Sequence, residues 1–340
     1  MLLRRSNILS VLWKPLHKSF LIQADSIPFP VKITWHNILS NVLIAIIMND
    51  QKFSIAVHGG AGSDTTFIKA NRAGYIAGIA EAVTAGHELL AAGGTAVDAV
   101  TAAIRVMEDN PLFNCGRGSA LNEHGQVEMC TSIMDGAEMK CGAAAIVTQL
   151  RNPIDLANSI MKHSRHLFLG AEGAKQYADN MDLKKEADAY FVTDHAFEDY
   201  QGQLQKSVPA DKMHGTVGAV AIDKEGRLAA GTSTGGSAAN HQGRIGDSSI
   251  VGAGTYANKI CAVSATGDGE YIILHSISFH IAALMEYKNM TAEQACRFLL
   301  RDKLKGIDAE IGVIVVDENG NVATEFNCDR MFRGWQSGSN

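Results

Sequence analysis

The sequence has no long run of Lys and Arg after its first twenty positions, and this absence argues against a nucleic-acid-binding face. Charged residues make up only 19% of the 340 positions, and the formal net charge is −6. A protein that binds nucleic acid presents clustered basic side chains to the phosphates. The hydrophobic fraction of 46% is ample for a globular core.

Metal-binding and nucleotide-binding patterns are also missing. None of the six cysteines forms a CxxC pair, and without a sign of secretion we expect them to be reduced. His163 and His166 have a metal-like spacing but no third ligand, which favours a solvated or packed pair. The glycines of residues 58–62 follow an apolar run, yet neither GxGxxG nor GxxxxGK[ST] occurs. A non-catalytic dinucleotide-binding protein is therefore a distant alternative.

Residues 1–47 differ in composition from the rest of the chain. They carry scattered basic, aromatic and proline residues and lead into an apolar run from Ile38 to Met48. That run is about half of the ~20 residues that a membrane span needs, and no small-residue cleavage site follows it. We expect a poorly ordered extension that the working protein could lack, with no membrane partner and a cytoplasmic location. A membrane or organelle address is the alternative.

Apolar periodicity divides the remaining chain into paired strands and paired helices. The predicted strands cover residues 53–57, 127–133, 142–148, 216–223, 227–234, 259–265, 311–317 and 322–326. The predicted helices cover residues 75–92, 167–181 and 270–287, with further helices beginning at Thr95, Pro153 and Thr291. Residues 183–213 are polar and charged, which predicts a solvated linker. Because strand and helix do not alternate, we expect an αββα sandwich of two antiparallel sheets rather than a doubly wound parallel sheet.

His214 and Gly215 follow the linker, and Thr216 opens the next strand. A threonine hydroxyl at such a position can attack the carbonyl carbon of Gly215 and form an ester that water hydrolyses. Glycine tolerates the strained backbone that this step requires. The released α-amine, with a pKa of about 7.7–8.0, can then act as a general base for the hydroxyl beside it. Taken alone, a Gly-Thr pair is far more often a loop that runs into a strand.

Eight blocks in register resemble the plant-type asparaginases, or isoaspartyl peptidases, which are N-terminal-nucleophile hydrolases. The resemblance covers residues 53–335 and implies self-cleavage before Thr216. It also implies hydrolysis of the side-chain amide of asparagine or of β-aspartyl peptides. The blocks are AVHGGAG at 56–62, GGTAVDAV at 93–100, EDNPLFNCGRGS at 108–119, VEMCTSIMDG at 127–136, HGTVGAVAID at 214–223, TSTGG at 232–236, GRIGDS at 243–248 and SATGDGE at 264–270.

The resemblance further implies how the cleaved chain is organised. Residues 48–215 would form an α subunit and residues 216–340 a β subunit of the same domain. The pieces would stay together because they share a core, and the family suggests a dimer of such αβ pairs. A glycosylasparaginase, with the same fold and nucleophile, is the close alternative. The sequence leaves open whether asparagine or isoaspartyl peptides are preferred.

The matching blocks also imply catalytic roles. Thr216 resembles the family's nucleophile and new amino terminus, and Thr234 resembles the second threonine that hydrogen-bonds around it. Thr266 and Gly267 match the oxyanion hole, supplied by a hydroxyl and a backbone N–H. Asn114 is implied to support the site.

Arg244 and Asp247 match the pair that holds the substrate amino acid. A guanidinium binds an α-carboxylate through two parallel hydrogen bonds, and a carboxylate holds an α-ammonium group. An isolated surface ion pair is the alternative for these two residues considered alone. The other residues implied to contact the substrate are Ile245, Gly246, Asp268 and Gly269.

Residues 108–119 resemble the family's sodium-holding loop. Backbone carbonyl oxygens are suitable ligands for a hard cation, and Gly116 and Gly118 would let such carbonyls converge. An irregular loop without an ion is the alternative, and no other cofactor is expected. The candidate ligands are the carbonyl groups of Glu108, Asp109, Pro111, Phe113, Cys115 and Arg117.

Overall fold

The computed structural model describes residues 52–205 and 215–338, which contain two β-sheets. One sheet has seven strands in the order β11-β1-β5-β6-β2-β3-β4, and the other has four in the order β10-β9-β8-β7. All neighbouring strands are antiparallel except β3 and β4. The strands are β1 (Phe53–Gly62), β2 (Met129–Asp135), β3 (Lys140–Val147), β4 (Phe168–Gly170), β5 (Val217–Ile222), β6 (Leu228–Thr234), β7 (Thr255–Ala257), β8 (Cys261–Gly267), β9 (Ile311–Asp317), β10 (Val322–Phe326) and β11 (Arg330–Gly338).

Helices cover the two sheets, and capping residues begin several of them. The Thr95 hydroxyl accepts from the Asp98 amide at 3.1 Å, and Thr291 and Gln294 form a capping box. The helices are α1 (Thr66–Ala70), α2 (Arg72–Ala91), α3 (Ala96–Asp109), α4 (Pro153–His163), α5 (Ala171–Asn180), α6 (Asp188–Phe191), α7 (Asp194–Gln205), α8 (Gly269–His275), α9 (Ile277–Lys288) and α10 (Ala292–Arg297). Asp247–Ser249 forms a 3₁₀ turn and Phe298–Lys303 a π-helical segment.

Three apolar layers hold the sandwich together. The first lies between the seven-stranded sheet and helices α2, α3 and α4, and includes Ile55, Ile104 and Val217. The second fills the space between the sheets, where Val220 packs with Ile314. The third lies between the four-stranded sheet and helices α8 to α10. Helix, sheet, sheet and helix therefore stack in the order that the sequence predicts, and the αββα fold is confirmed.

The two predicted subunits share the larger sheet. Strand β5, which follows residue 215, pairs with β1 on one side and with β6 on the other. Strands β5 and β6, from after the proposed break, thus lie between β1 and β2, from before it, so separation of the pieces would expose the buried faces of several strands. The described residues belong to one compact unit.

Several predicted boundaries are wrong, because tertiary packing overrides local composition. Part of the predicted linker forms helices α6 and α7. Phe191, the last residue of α6, is buried in an apolar cluster. The predicted helix at 270–287 is divided at Ser276, which has a left-handed backbone with φ of 46°. The helix predicted at 167–181 begins with the short strand β4, and strands β7 and β11 were not predicted.

Two earlier predictions lie partly or wholly outside the described residues. The extension at 1–47 is one, and the stretch 206–213 of the linker is the other. No helix among the described residues has both the length and the hydropathy needed to cross a bilayer.

A glycine substitution tests the close packing of β3 against α4. A Cβ on Gly142 would lie 2.0 Å from the carbonyl oxygen of Ala157, so Gly142→Ala should lower the free energy of unfolding by about 1–3 kcal/mol. Gly173→Ala is the matched control, because a Cβ there meets nothing within 4 Å and the residue lies on helix α5. It should raise stability by about 0.5–1 kcal/mol. Urea denaturation measures both, and equal stabilities would contradict the packing argument.

Candidate active site

Thr216 lies immediately before β5, inside the seven-stranded sheet, and is only 5% exposed. The register of β5 and β6 pairs Val217 with Ser233, which places Thr216 beside Thr234. The Thr216 hydroxyl donates to the Thr234 hydroxyl over 3.2 Å. Thr234 in turn accepts from the Gly236 amide at 3.1 Å. The two threonines that the sequence singled out are therefore in direct contact.

The backbone before Thr216 is tightly enclosed. A Cβ on Gly60, whose φ is +99°, would lie 2.7 Å from the Cα of Gly215. A Cβ on Gly215 would lie 2.8 Å from the Cβ of Asn114. Glycine at both positions is thus required by close approach, and at Gly60 also by the backbone conformation. The junction is held between strand β1 and the loop that carries Asn114.

Asn114 fixes the turn that follows Thr234. Its side-chain amide donates to the Gly236 carbonyl at 2.6 Å, and its side-chain oxygen accepts from the Ala120 amide at 2.8 Å. Its backbone carbonyl accepts from the Gly235 amide at 3.0 Å. Asn114 therefore holds the backbone around Thr234 in place.

The four-stranded sheet contributes Thr266 from the end of β8. Its hydroxyl is 3.5 Å from the Thr216 carbonyl oxygen and accepts from the Ala61 amide at 3.3 Å. Gly267 follows with φ of +130°, and a Cβ there would lie 2.0 Å from the Glu310 carbonyl oxygen. Of the two residues proposed for the oxyanion hole, Thr266 thus lies next to Thr216 where the sheets meet, and Gly267 follows it in the chain.

Sequence reasoning gave no role to His58, although it lies within the AVHGGAG block. Its Nδ1 is 3.1 Å from the Thr216 carbonyl oxygen, and its Nε2 is 2.9 Å from the Ser264 hydroxyl. The ring is fully buried, and this burial lowers the pKa of His58 to about 3. The sequence offered one signal for a role of His58: this histidine directly follows an apolar run and precedes two glycines.

Arg244 and Asp247 converge on one glycine. A Cβ on Gly269 would lie 2.7 Å from Nη2 of Arg244 and 2.8 Å from Oδ1 of Asp247. Asp247 is only 3% exposed and begins the 3₁₀ turn. The Arg244 guanidinium donates two hydrogen bonds to the Glu270 carboxylate, at 2.8 and 3.0 Å. Glu270, which sequence reasoning did not assign, therefore orients the guanidinium.

The other predicted substrate contacts differ in their surroundings. Ile245 is 42% exposed beside Arg244, and a Cβ on Gly246 would lie 3.1 Å from Nη1 of that arginine. The Asp268 carboxylate accepts from the Glu310 amide at 2.8 Å, which ties it to the loop before β9. Gly246 and Gly269 thus leave room for the guanidinium, whereas Asp268 fixes a backbone turn.

The carbonyl groups of the predicted sodium loop partly converge. A Cβ on Gly118, whose φ is +106°, would lie 2.6 Å from the Pro111 carbonyl oxygen and 2.8 Å from that of Phe113. The Glu108 carbonyl oxygen accepts from the Arg117 amide at 2.7 Å. Of the remaining candidates, Cys115 is buried, and the side chain of Asp109 pairs with Arg151. Among the described residues, no group of three or more His, Cys, Asp and Glu side chains could hold a metal ion.

Glu108 is a buried acid at the start of this loop. Its Oε1 accepts from the Ser233 hydroxyl at 2.7 Å and from the Ile154 amide at 3.1 Å. Burial raises the pKa of Glu108 to about 8, because the charged form is poorly solvated. The Glu108 side chain thus connects helix α3 to strand β6 at Ser233, the residue before Thr234.

Acidification tests the burial of His58. Between the unfolded pKa of 6.5 and the folded value of about 3, only the unfolded chain binds a proton there. Acid therefore favours the unfolded chain, and the free energy of unfolding of the wild-type protein falls progressively as the pH drops from 6.5 towards 3. His58→Asn should remove this pH dependence, because asparagine does not titrate. The stability difference between wild type and variant should then shrink below pH 6.5 and stay constant above it. Urea titrations at several pH values measure this, and a difference that is constant throughout would contradict the burial of a neutral imidazole.

Known proteins resemble this chain over most of its length. The asparaginase family model matches residues 51–340. The isoaspartyl peptidase of Salmonella typhimurium is 40% identical over 297 residues, covering 84% of this chain and 95% of that protein. The isoaspartyl peptidase/L-asparaginase of Danio rerio is 41% identical over 283 residues, covering 82% and 90%. A probable isoaspartyl peptidase/L-asparaginase of Arabidopsis thaliana is 37% identical over 314 residues, covering 83% and 95%. The chain belongs to the asparaginase family of hydrolases.

Proposed function

We propose that this protein cuts its own chain before Thr216 and then hydrolyses the side-chain amide of L-asparagine and of β-aspartyl peptides. The observation that carries the proposal is the Thr216 hydroxyl, held by Thr234 at 3.2 Å directly after a crowded Gly215. The names of the relatives, isoaspartyl peptidase and L-asparaginase, support the substrate class.

Self-cleavage proceeds at the bond between Gly215 and Thr216. The Thr216 oxygen attacks the Gly215 carbonyl carbon, the C–N bond breaks, and the nitrogen takes up the proton that the hydroxyl gives away. The result is an ester between the two residues, which water hydrolyses to a Gly215 carboxylate and a free Thr216 hydroxyl. The contacts on both sides of Gly215 restrict its backbone, which favours such an attack over relaxation.

Turnover then uses the new amino terminus. The α-amine takes the proton of the Thr216 hydroxyl, and the oxygen attacks the substrate's amide carbon. The Thr266 hydroxyl and the Gly267 amide stabilise the oxyanion, a type of contact that contributes about 2.7–4 kcal/mol. The proton passes to the leaving nitrogen, and water hydrolyses the acyl-enzyme to release L-aspartate.

Recognition of the amino acid end defines the substrate class. The Arg244 fork binds the α-carboxylate, and the buried Asp247 binds the α-ammonium group. An ordinary α-peptide has no free carboxylate at this point, so the scissile amide must be on the side chain. Because Glu270 already accepts two hydrogen bonds from Arg244, substrate either displaces it or uses the remaining guanidinium N–H groups.

The cleaved pieces remain associated because β5 and β6 lie between strands of the other piece. We propose that two such αβ pairs form a dimer and that the protein acts in the cytoplasm.

A denaturing gel tests the proposed nucleophile. The wild-type protein should mature into two bands, with a new amino terminus at Thr216, and should then hydrolyse asparagine and a β-aspartyl dipeptide. Thr216→Ala should abolish both cleavage and turnover, because it removes the attacking oxygen. Thr216→Ser is the matched control, since it keeps a hydroxyl and should still cleave. An active wild type that remains a single uncut chain would refute the mechanism, whereas activity restricted to glycosylated asparagine would show a glycosylasparaginase.

We further propose that the loop at residues 108–119 binds a sodium ion through its carbonyl groups. The convergence of the Pro111 and Phe113 carbonyls around Gly118 supports this site. The chemistry also fits, because hard monovalent cations prefer oxygen ligands. The ion would hold the loop that positions Asn114.

Thermal unfolding in different salts tests the sodium site. Sodium chloride should raise the Tm in a saturable manner, because a ligand that binds only the folded state stabilises it. Choline chloride at the same ionic strength is the control, and it should leave the Tm lower. Identical Tm curves in the two salts would exclude a specific sodium site.

A further inference from the structure

A pocket that the proposed function does not yet use opens beside Gly215. It encloses about 690 Å³, its open mouth included, which lies within the range of ligand pockets. Gly215 and Asn114 form part of its wall, whereas Arg244 and Asp247 are not among the described residues that line it. The pocket is therefore separate from the proposed ligands of the substrate's amino acid end.

This pocket adjoins the place that a substrate's amide carbon occupies. In the proposed mechanism, the Thr216 oxygen first attacks the carbonyl carbon of Gly215 and later that of the substrate, so the two carbons take nearly the same position in turn. Two groups extend from the substrate's carbon, which are the aspartyl group and the leaving amine. Because Arg244 and Asp247 bind the aspartyl group outside the pocket, the pocket is available to the leaving amine.

Arg330 brings a positive charge to the pocket. It begins strand β11 opposite Gly62, and it lines the pocket together with Gly215. Its Nε donates to the Ser63 carbonyl at 3.1 Å, and its Nη1 reaches the Gly60 carbonyl at 3.5 Å. A Cβ on Gly60 would lie 2.7 Å from the Cα of Gly215. The guanidinium and the cleavage junction thus contact the same residue.

The Arg330 guanidinium makes no ion pair with a carboxylate in the part of the chain that the structure describes. Burial lowers its pKa, and the charges of Asp64 and Glu310 offset this only in part. The guanidinium carbon lies 5.2 Å from the centre of the Phe332 ring, a contact that fixes the side chain. Since arginine has five N–H donors and the two carbonyl contacts use two, donors remain for an anionic ligand.

Much of the remaining wall is apolar. Ile68, Tyr75 and Leu112 all line the pocket. Asp199 is an acidic member of the wall, and its carboxylate lies 3.3 Å from Nε2 of His195, which also lines the pocket. An apolar surface beside a positioned cation is complementary to an amino acid that has an apolar side chain and a free carboxylate.

We propose that this pocket binds the leaving amino acid of a β-aspartyl dipeptide, with Arg330 holding its α-carboxylate and the apolar wall holding its side chain. The inference rests on the proposed function and specifies its substrate further. A dipeptide with an apolar second residue gains contacts that asparagine lacks, because asparagine releases only ammonia. A substrate whose carboxylate is blocked offers Arg330 no negative charge and is therefore a poorer one.

Two substrates that differ only in this carboxylate test the role of Arg330. They are β-aspartyl-leucine and β-aspartyl-leucinamide, and the measurement is the ratio of their kcat/KM values. Because both are assayed with the same matured preparation, the ratio does not depend on how much of the protein is folded. The wild type should favour the free acid by at least about tenfold, as expected for one hydrogen-bonded charge contact.

Variants of two arginines on strand β11 assign the effect. Arg330→Gln should bring the ratio close to one, and Arg330→Lys should keep part of the preference, because lysine retains the charge without the planar fork. Arg333→Gln is the matched control and should keep the wild-type ratio. Its guanidinium donates to the Met331 carbonyl and the Thr324 hydroxyl, and it does not line the pocket. A denaturing gel checks that each variant has cleaved itself.

The apolar wall has a test of its own. The wild type should hydrolyse β-aspartyl-leucine with a kcat/KM about tenfold above that of β-aspartyl-glycine, because only leucine reaches the wall with an apolar side chain. Equal values for these two dipeptides would remove the apolar wall from the proposal.

The results that contradict the role of Arg330 are distinct from those that contradict the proposed function. Equal hydrolysis of the acid and the amide by the wild type would overturn the inference, and this result is expected if the freed Gly215 carboxylate occupies Arg330 instead. An equal loss of the preference in Arg330→Gln and Arg333→Gln would also overturn it. A wild type that hydrolyses neither asparagine nor any dipeptide would refute the proposed function.

Discussion

The site depends on the confinement of the Gly215–Thr216 junction between two elements that leave no room for a side chain. Gly60 approaches it from β1, and Asn114 approaches it from the loop after α3. The register of β5 with β6 then fixes Thr216 beside Thr234. The hydroxyl of the proposed nucleophile is thus held by sheet pairing rather than by a flexible loop, which reduces the conformational entropy that a reaction step there must overcome.

Polar groups at the centre of the sandwich are the second notable feature. The space between two sheets is ordinarily apolar, yet here it contains a histidine and four hydroxyl-bearing residues with no exposed surface. Buried polar groups are tolerated when they bond to each other, and their geometry becomes specific as a result. In this protein, these polar groups lie between the proposed nucleophile and the proposed substrate turn.

The sequence predicted the element types better than their limits. Strands such as Ile311–Asp317 and Val322–Phe326 were predicted with their observed bounds, because a short apolar run beside the turn residues Asn319-Gly320 is a local signal. Helices α6 and α7 were missed, since each buries a single side chain, Phe191 in α6 and Ala196 in α7, and neither carries a broad apolar stripe. The break at Ser276 was missed for a similar reason, because its left-handed backbone reflects packing of α8 and α9 rather than a glycine.

The sequence by itself determined the candidate nucleophile, the threonines around it and the charged pair for the substrate, because matching motifs specify residue types at fixed positions. Only the tertiary structure decided that His58 contacts Thr216, that Glu270 orients Arg244, and that hydroxyls from both sheets join into one chain. These contacts connect residues far apart in the chain, including His58 and Ser264 at a separation of 206 positions. No local pattern records such contacts, since they arise when one sheet packs on the other.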